Sequence, residues 1–183
     1  YFFNGYIEPP FPNEYRVLIP SQATTSVDKH PEMMASQITD RVLQSIESQS
    51  FDFILANYAN PDTVAHTGNY DAALAAVKTI DAEIGRLAKA AVAAGAPLII
   101  TSDHGNIEEL INPMTATPET QHDPSPVPFY VVTDEVKGKK FPNHNSLGQP
   151  IGMLSDIAPT ILPLMGFPPS GEMTGRNLLK DIA

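Results

Sequence analysis

Aspartate and histidine residues occur together at three places in the chain, in combinations that suit metal binding. The first segment holds Asp62 and His66, four residues apart. The second holds the adjacent pair Asp103 and His104, and the third holds His122. Carboxylate oxygen and neutral imidazole nitrogen both bind Mn²⁺, Zn²⁺ and similar divalent ions well. The residue types therefore indicate a divalent-metal site, provided that the fold brings the three segments together.

Each combination places a condition on the backbone. Asp62 and His66 reach one ion only if their segment forms a helical turn, which brings residues i and i+4 to one face. Asp103 and His104 would face opposite ways in a regular strand, so they share an ion only where the chain bends, and Gly105 makes a bend easy. Taken singly, the three segments also have plainer interpretations: a surface pair, turn chemistry after a strand, and a solvated loop histidine.

Strands and helices are predicted in alternation around these segments. Short apolar runs at 51–58, 97–101 and 127–132 indicate buried strands, and apolar residues at helical spacing indicate helices over 31–48 and 70–94. Such alternation implies parallel β-α-β units, with helices covering a sheet. In these folds the functional residues gather beyond the carboxyl ends of the strands. The second segment follows the strand at 97–101 directly, as that rule requires.

The longest helix has the clearest predicted boundaries and the clearest apolar stripe. Asn69 can cap its start and Gly95 its end. A shorter helix is predicted over 155–165, where Pro159 and Pro163 must shorten or kink it. The stripe predicted to face the core comprises Leu74, Val77, Ile80, Ile84, Leu87 and Ala91.

Composition excludes several classes of partner. Lys and Arg number 11 against 21 Asp and Glu, for a formal net charge of −10 among 183 residues. This acidic balance argues against binding to nucleic acid and to anionic membrane surfaces, which both need a basic footprint. No apolar run approaches the roughly 18 to 20 residues of a membrane span. Cysteine is absent, which suits a reducing cytoplasm, so a cytoplasmic location is expected.

The three segments resemble the metal loops of cofactor-independent phosphoglycerate mutases. The Asp-His-Gly-Asn motif alone would indicate only the wider alkaline-phosphatase-like group, but further motifs agree in order along essentially the whole chain. The stretches that carry the resemblance are 57–69 (NYANPDTVAHTGN), 101–108 (TSDHGNIE), 122–129 (HDPSPVPF), 2–5 (FFNG), 31–33 (PEM), 156–160 (DIAPT) and 172–175 (EMTG).

The resemblance implies a two-metal isomerase of glycolysis that converts 3-phosphoglycerate to 2-phosphoglycerate through a phosphoserine. It implies that Asp62, His66 and His122 hold one ion. Asp103 and His104 would hold the other, together with an aspartate and the serine nucleophile. Two divalent ions are expected and no bisphosphoglycerate, with Mn²⁺ favoured over Zn²⁺, Mg²⁺ or Co²⁺. The implied fold is an alkaline-phosphatase-like α/β class, with three α/β/α layers and a mostly parallel sheet, present here only in part.

Residues 1–183 are accordingly expected to be the C-terminal portion of the phosphatase-type metal-binding domain. In the family, the nucleophilic segment precedes this portion and a phosphotransferase domain is inserted between them; both are expected to lie outside this chain. Ser102 neighbours Asp103 but does not occupy the family's nucleophile position, so no catalytic residue is assigned here. The substrate's carboxylate and phosphate call for Arg or Lys, and the four arginines lie outside the three segments. We therefore expect the isolated chain to be inactive.

Two features depart from the family pattern, and two other functions stay open. Asp123 follows His122 where a different residue is usual, and Pro163 lies where the family has a helix former. The alternatives are another enzyme of the alkaline-phosphatase superfamily, such as a phosphopentomutase or a phosphatase, and a non-catalytic metal-binding domain. The expected partner is a small-molecule phosphoglycerate, with no nucleic acid and no membrane. We expect the full enzyme to be a monomer and the isolated chain to self-associate through exposed apolar surface.

Overall fold

The computed structural model of the chain describes residues 4–23, 26–112, 114–136 and 150–179. The first two residues of the motif at 2–5 lie outside these ranges. In chain order the helices and strands are α1 (Ala35–Ser48), α2 (Asn60–Ala65), α3 (Tyr70–Ala94), β1 (Leu98–Thr101), β2 (Phe129–Val132) and α4 (Ile157–Leu164). Short 3₁₀ turns lie at Val27–Lys29, Ile107–Glu109, Asp134–Val136 and Leu154–Asp156. No helix in these ranges is both long and apolar enough to cross a membrane.

Helix α3 confirms the predicted boundaries. The side chain of Asn69 accepts a hydrogen bond from the backbone N–H of Ala72 at 3.1 Å, and Gly95 adopts the left-handed conformation with a φ of 65°. The predicted stripe is wrong at its N-terminal half, because Leu74 and Val77 are each 42% exposed. The buried face there consists of Ala72, Ala73 and Ala76. These small side chains let α2 pack closely against α3.

Helix α1 begins later than predicted. Residues 31–34 form turns, and Met33 has a φ of 43°, so regular helix starts only at Ala35. The helix lies against α3, where Arg86 pairs with Asp40 of α1 and with Glu83 of its own helix. The Arg86–Asp40 pair is exposed, and exposed pairs contribute little to stability. Ala35, at the start of α1, is fully buried, and burial of its apolar side chain stabilises this end of the helix.

The sheet in the described part of the chain has two strands. β1 pairs with β2 antiparallel, with Leu98 opposite Val132 and Thr101 opposite Phe129. The α/β class is confirmed, but the parallel pairs expected from the alternation of elements do not occur among these residues. The predicted strand at 51–58 has no regular secondary structure. A strand needs a hydrogen-bonding neighbour, and this segment has none in the described ranges.

A buried carboxylate organises the C-terminal segment. Asp156 accepts backbone N–H donors from Arg176 and Met153, each at 2.8 Å. These two hydrogen bonds, that from Arg176 first, lower the pKa of Asp156. The hydroxyl of Thr160 accepts the backbone N–H of Leu178 at 2.9 Å, which ties the chain end to α4. The helix ends at Leu164, directly after Pro163, so the predicted shortening is confirmed.

Candidate metal centre

The first predicted segment forms the short helix α2, which carries Asp62 and is followed at once by His66. Val64 and Ala65 of this helix are fully buried in a cluster with Ala72, Ala73, Ala76 and Leu110. Because the apolar side chains face inward, Asp62 and His66 are left on the partly exposed side. Asp62 Oδ1 lies 3.3 Å from His66 Nε2. The helical turn required for these two side chains to meet is therefore present.

Asn60 fixes the start of α2. This residue is 1% exposed, and its Nδ2 donates to the carbonyl oxygens of Pro31 and Glu32, at 2.9 and 2.8 Å. The two bonds attach α2 to the turns that precede α1. The sequence motifs did not identify this role, because a motif records the residue and not its long-range partners.

His66 is held by the third segment. Its Nδ1 lies 2.7 Å from the carbonyl oxygen of Thr120, and a carbonyl only accepts, so Nδ1 carries the proton and donates. The lone pair is then on Nε2, the nitrogen that faces Asp62 and His122. A hydrogen bond of this type on the distal nitrogen is what a metal-binding imidazole usually makes. Gly68 lies beside the same loop, where an added Cβ would lie 2.9 Å from Cβ of Pro118.

Three ligand atoms converge from two segments. His122 Nε2 lies 3.2 Å from Asp62 Oδ1 and 3.2 Å from His66 Nε2. The ligand atoms of all three residues lie within 4.8 Å of one another. Metal–ligand bonds of about 2.0–2.2 Å bring neighbouring ligand atoms to roughly 3 Å from each other, which matches these separations. A single proton could join two of the three atoms, but a metal cation can accept a lone pair from all three, so this donor set fits a divalent ion.

The second segment bends as predicted and brings His104 to the same place. The imidazole of His104 stacks on that of His122 with ring centroids 3.6 Å apart. Its Nε2 lies 3.9 Å from Asp62 Oδ1 and 3.8 Å from Asp103 Oδ1. The side chain of Asp103 is 86% exposed. His104 thus lies beside Asp62 and His122, whereas Asp103 is placed only against its neighbour His104 in the described ranges, and the pair offers only two donors.

The turn at 102–106 is fixed by its own backbone and by the third segment. The hydroxyl of Ser102 donates to the carbonyl oxygen of His104 at 2.8 Å, so it is already engaged. Gly105 accepts the backbone N–H of Asp123 at 3.0 Å in an isolated bridge. The carboxylate of Asp123 accepts the backbone N–H of Ser125 at 2.6 Å. Asp123, which departs from the family pattern, therefore organises the loop that presents His122.

Known proteins match this chain along most or all of its length. The model of the metalloenzyme superfamily matches residues 1–169. A protein of Gloeobacter violaceus named 2,3-bisphosphoglycerate-independent phosphoglycerate mutase is 48% identical over 99% of this chain and 34% of its own length. A protein of the same name from Thermomicrobium roseum is 45% identical over 98% of this chain and 33% of its own length. The chain thus spans about a third of the curated relatives that it matches.

A solved structure supports the fold. It comes from work titled "Crystal structures of Leishmania mexicana phosphoglycerate mutase at low cobalt concentration", and it matches with a TM-score of 0.73. The sequences are 22% identical, and the match covers 86% of this chain and 30% of that chain. The alkaline-phosphatase-like part of the fold prediction rests on this likeness and on the family match, and both bear it out.

Proposed function

This chain belongs to the metalloenzyme superfamily, and on that premise we propose that it is part of a phosphoglycerate mutase that uses divalent metal ions and no bisphosphoglycerate. The observation that carries the proposal is the convergence of Asp62, His66 and His122, whose ligand atoms lie 3.2–3.3 Å apart. The name and the high identity of the relatives support the same activity. The proposed reaction is the isomerisation of 3-phosphoglycerate to 2-phosphoglycerate through a phosphoserine.

The proposal assigns residues 1–183 to the C-terminal portion of the phosphatase-type domain. Its match to about a third of the relatives' length supports this division. The serine nucleophile, its neighbouring aspartate and the cationic groups that grip the substrate are then supplied by sequence outside this chain. By itself the 183-residue chain is expected to bind metal without catalysing the isomerisation.

Within this chain the residues have separate tasks. Asp62, His66 and His122 would hold one ion, and Asp103 and His104 would contribute to the second. When bound, the ions neutralise charge on the phosphoryl oxygens and make the attacking hydroxyl more acidic. The carbonyl of Thr120 keeps His66 in the tautomer with Nε2 free.

The two ions are expected to bind unequally. The first has three donors whose separations already suit one ion. The second has two, and the carboxylate of Asp103 is largely exposed. Mixed carboxylate and imidazole donors suit Mn²⁺ and Zn²⁺ better than Mg²⁺, and we propose Mn²⁺, with Zn²⁺, Mg²⁺ and Co²⁺ as the alternatives to be compared.

The substrate is a small phosphoglycerate, and we propose a cytoplasmic enzyme that is monomeric when complete. The isolated chain is expected to self-associate, because Phe53, Leu55 and Tyr130 are each at least half exposed and contiguous apolar surface promotes association. Sedimentation of the chain at high concentration tests this; a purely monomeric profile would contradict it.

Calorimetric titration with Mn²⁺ tests the metal centre. We expect the 183-residue chain to bind one ion tightly, Asp62→Ala to abolish this binding and Asp103→Ala to keep it. Asp81→Ala, at an exposed aspartate of α3, is the matched control for loss of one negative charge and should bind like the unaltered chain. Absence of binding by the unaltered chain, or equal loss in the Asp62 and Asp81 variants, would contradict the assignment.

A chimaeric enzyme tests the reaction. The chain replaces the matching third of one of the curated relatives, and turnover is measured with 3-phosphoglycerate, a pentose phosphate and a simple phosphate monoester. We expect Mn²⁺-dependent mutase activity that Asp62→Ala abolishes and Asp81→Ala preserves. Turnover of the pentose phosphate or of the monoester alone would refute the mutase in favour of another enzyme of the superfamily.

A further inference from the structure

Asn106 lies where the first and second segments meet. Its side chain is 4% exposed, and its Nδ2 donates to Asp62 Oδ1 at 2.7 Å. The backbone N–H of Asn106 donates to the Glu108 carboxylate at 2.9 Å, which holds the residue in the turn after Gly105. This residue therefore joins two segments that are 44 residues apart in sequence.

Asn106 donates to the Asp62 oxygen that lies beside the two other proposed ligands. Asp62 Oδ1 is the atom that lies 3.3 Å from His66 Nε2 and 3.2 Å from His122 Nε2. The terminal torsion of an aspartate is soft, so a carboxylate on a short helix needs an external contact to keep one oxygen in place. An amide N–H donates at every pH, because the amide does not titrate. Asn106 can thus hold the carboxylate in one rotation whether or not an ion is bound.

In the side-chain amide of Asn106, the nitrogen is hydrogen-bonded and, among the described residues, the oxygen is not. In the ranges that the structure describes, Oδ1 of Asn106 is buried without a hydrogen-bond partner. Buried polar groups are ordinarily paired, and exceptions often lie at functional sites. A residue selected only to fill this space would be better apolar, so the bond to Asp62 is the feature that accounts for an asparagine here.

We propose that Asn106 is a positioning residue of the metal centre: it fixes the carboxylate of Asp62 for ion binding and couples the 103–106 turn to α2. This inference rests on the proposed metal site. The contact is of the kind that orients metal ligands from outside, and loss of such contacts typically weakens metal binding about 10- to 100-fold.

A matched control separates positioning from simple loosening of the loop. Asn112 lies in the loop that follows the 3₁₀ turn Ile107–Glu109. Its Oδ1 accepts the backbone N–H groups of Met114 and Thr115 at 2.9 and 3.2 Å, and its Nδ2 donates to Glu119 Oε2 at 3.5 Å. It contacts none of the five cluster residues by a hydrogen bond in the described ranges. Asn112→Ala therefore removes asparagine hydrogen bonds from a nearby loop without touching Asp62.

The experiment measures Mn²⁺ affinity by calorimetry on the full chain, and the environment of the bound ion by electron paramagnetic resonance. Asn106→Ala is expected to weaken binding by about 10- to 100-fold and to change the spectrum of the ion that remains bound. Asn112→Ala is expected to change the affinity by less than about threefold, below the loss that follows removal of a ligand-orienting contact, and to leave the spectrum unchanged.

Two results would overturn the inference: unchanged affinity and spectrum in Asn106→Ala, or equal weakening in Asn112→Ala. These outcomes leave the proposed function intact, because the unaltered chain still binds Mn²⁺ in each. If the unaltered chain binds no Mn²⁺, the proposed metal site fails, and the inference fails with it.

Discussion

Replacement of Asn60 tests how the fold holds the candidate metal centre. Asn60→Ala removes both hydrogen bonds to the carbonyl oxygens of Pro31 and Glu32 while it leaves every proposed ligand in place. Asn60→Asp keeps the size of the side chain but presents an oxygen to those carbonyls where the amide presented N–H groups. Residue 60 is fully buried, so the aspartate of the second variant cannot turn into solvent unless α2 moves.

The expected magnitude follows from the two bonds. Each hydrogen bond contributes about 0.5–1.5 kcal/mol net, so their loss predicts about 1–3 kcal/mol for Asn60→Ala. Glu32 is exposed and Pro31 is half-buried, so water can reach the freed carbonyls and the upper end of that range is not expected. A loss of about 2 kcal/mol lowers the Tm of a chain of this size by roughly 4–8 °C. Asn60→Asp should be worse than Asn60→Ala, because it adds repulsion between oxygen atoms in a buried place.

Urea unfolding and Mn²⁺ titration on the same samples provide the assay. The order of unfolding free energies should be unaltered chain, then Asn60→Ala, then Asn60→Asp, and metal affinity should fall in the same order because α2 carries Asp62. Asn57→Ala is the control at an exposed asparagine and should stay within about 0.5 kcal/mol. If Asn60→Asp is as stable as the unaltered chain, the two hydrogen bonds do not hold α2 and the reasoning is refuted.

Three further predictions concern other parts of the chain. Gly105→Ala should weaken Mn²⁺ binding in calorimetry, because an added Cβ would meet a carboxylate oxygen of Glu108 and would lie 2.7 Å from Asp123 Oδ1 and 3.0 Å from the Asp123 backbone oxygen; unchanged affinity would contradict the tight turn. The pKa of Asp156 is lowered in the folded chain. The stabilisation that Asp156 provides should therefore be complete above the unfolded pKa of 3.8 and should be lost as the pH falls below it. Urea unfolding across that pH range should show a weaker pH dependence for Asp156→Asn than for the unaltered chain. Asn69→Ala should cost about 1 kcal/mol of unfolding free energy through loss of the N-cap, and a cost near zero would mean that water replaces the cap.

Features with local causes were predictable from the sequence. The bounds of α3 follow from an N-cap asparagine and a C-terminal glycine, which act within one turn of the helix. The strands at 98–101 and 129–132 follow from short apolar runs. The meeting of the three polar segments was inferred from residue types and from the resemblance, and the structure brings together the side chains of Asp62, His66, His104 and His122, with Asp103 beside His104.

Features that depend on distant partners were not predictable in this way. The buried face of α3 is made of alanines, because α2 packs against it at a short distance, and no pattern of large apolar residues marks such a face. The segment 51–58 has the composition of a strand but lacks a paired neighbour in the described ranges. The roles of Asn60 and Asn106 are not predictable from the sequence for a related reason: an asparagine becomes a positioning residue only through partners that the fold brings to it.

These differences bear on the two halves of the metal centre. The three-donor half is determined by contacts inside this chain: the hydrogen bonds of Asn60 and Asn106, the carbonyl beside His66, and the alanine face beneath α2. In the part of the chain that the structure describes, the carboxylate of Asp103 has no comparable contacts, since it is largely exposed. A site whose ligands are already held loses less conformational entropy on binding an ion. The three-donor half should therefore fill first, and tight binding of a second ion should require the sequence that supplies its remaining ligands.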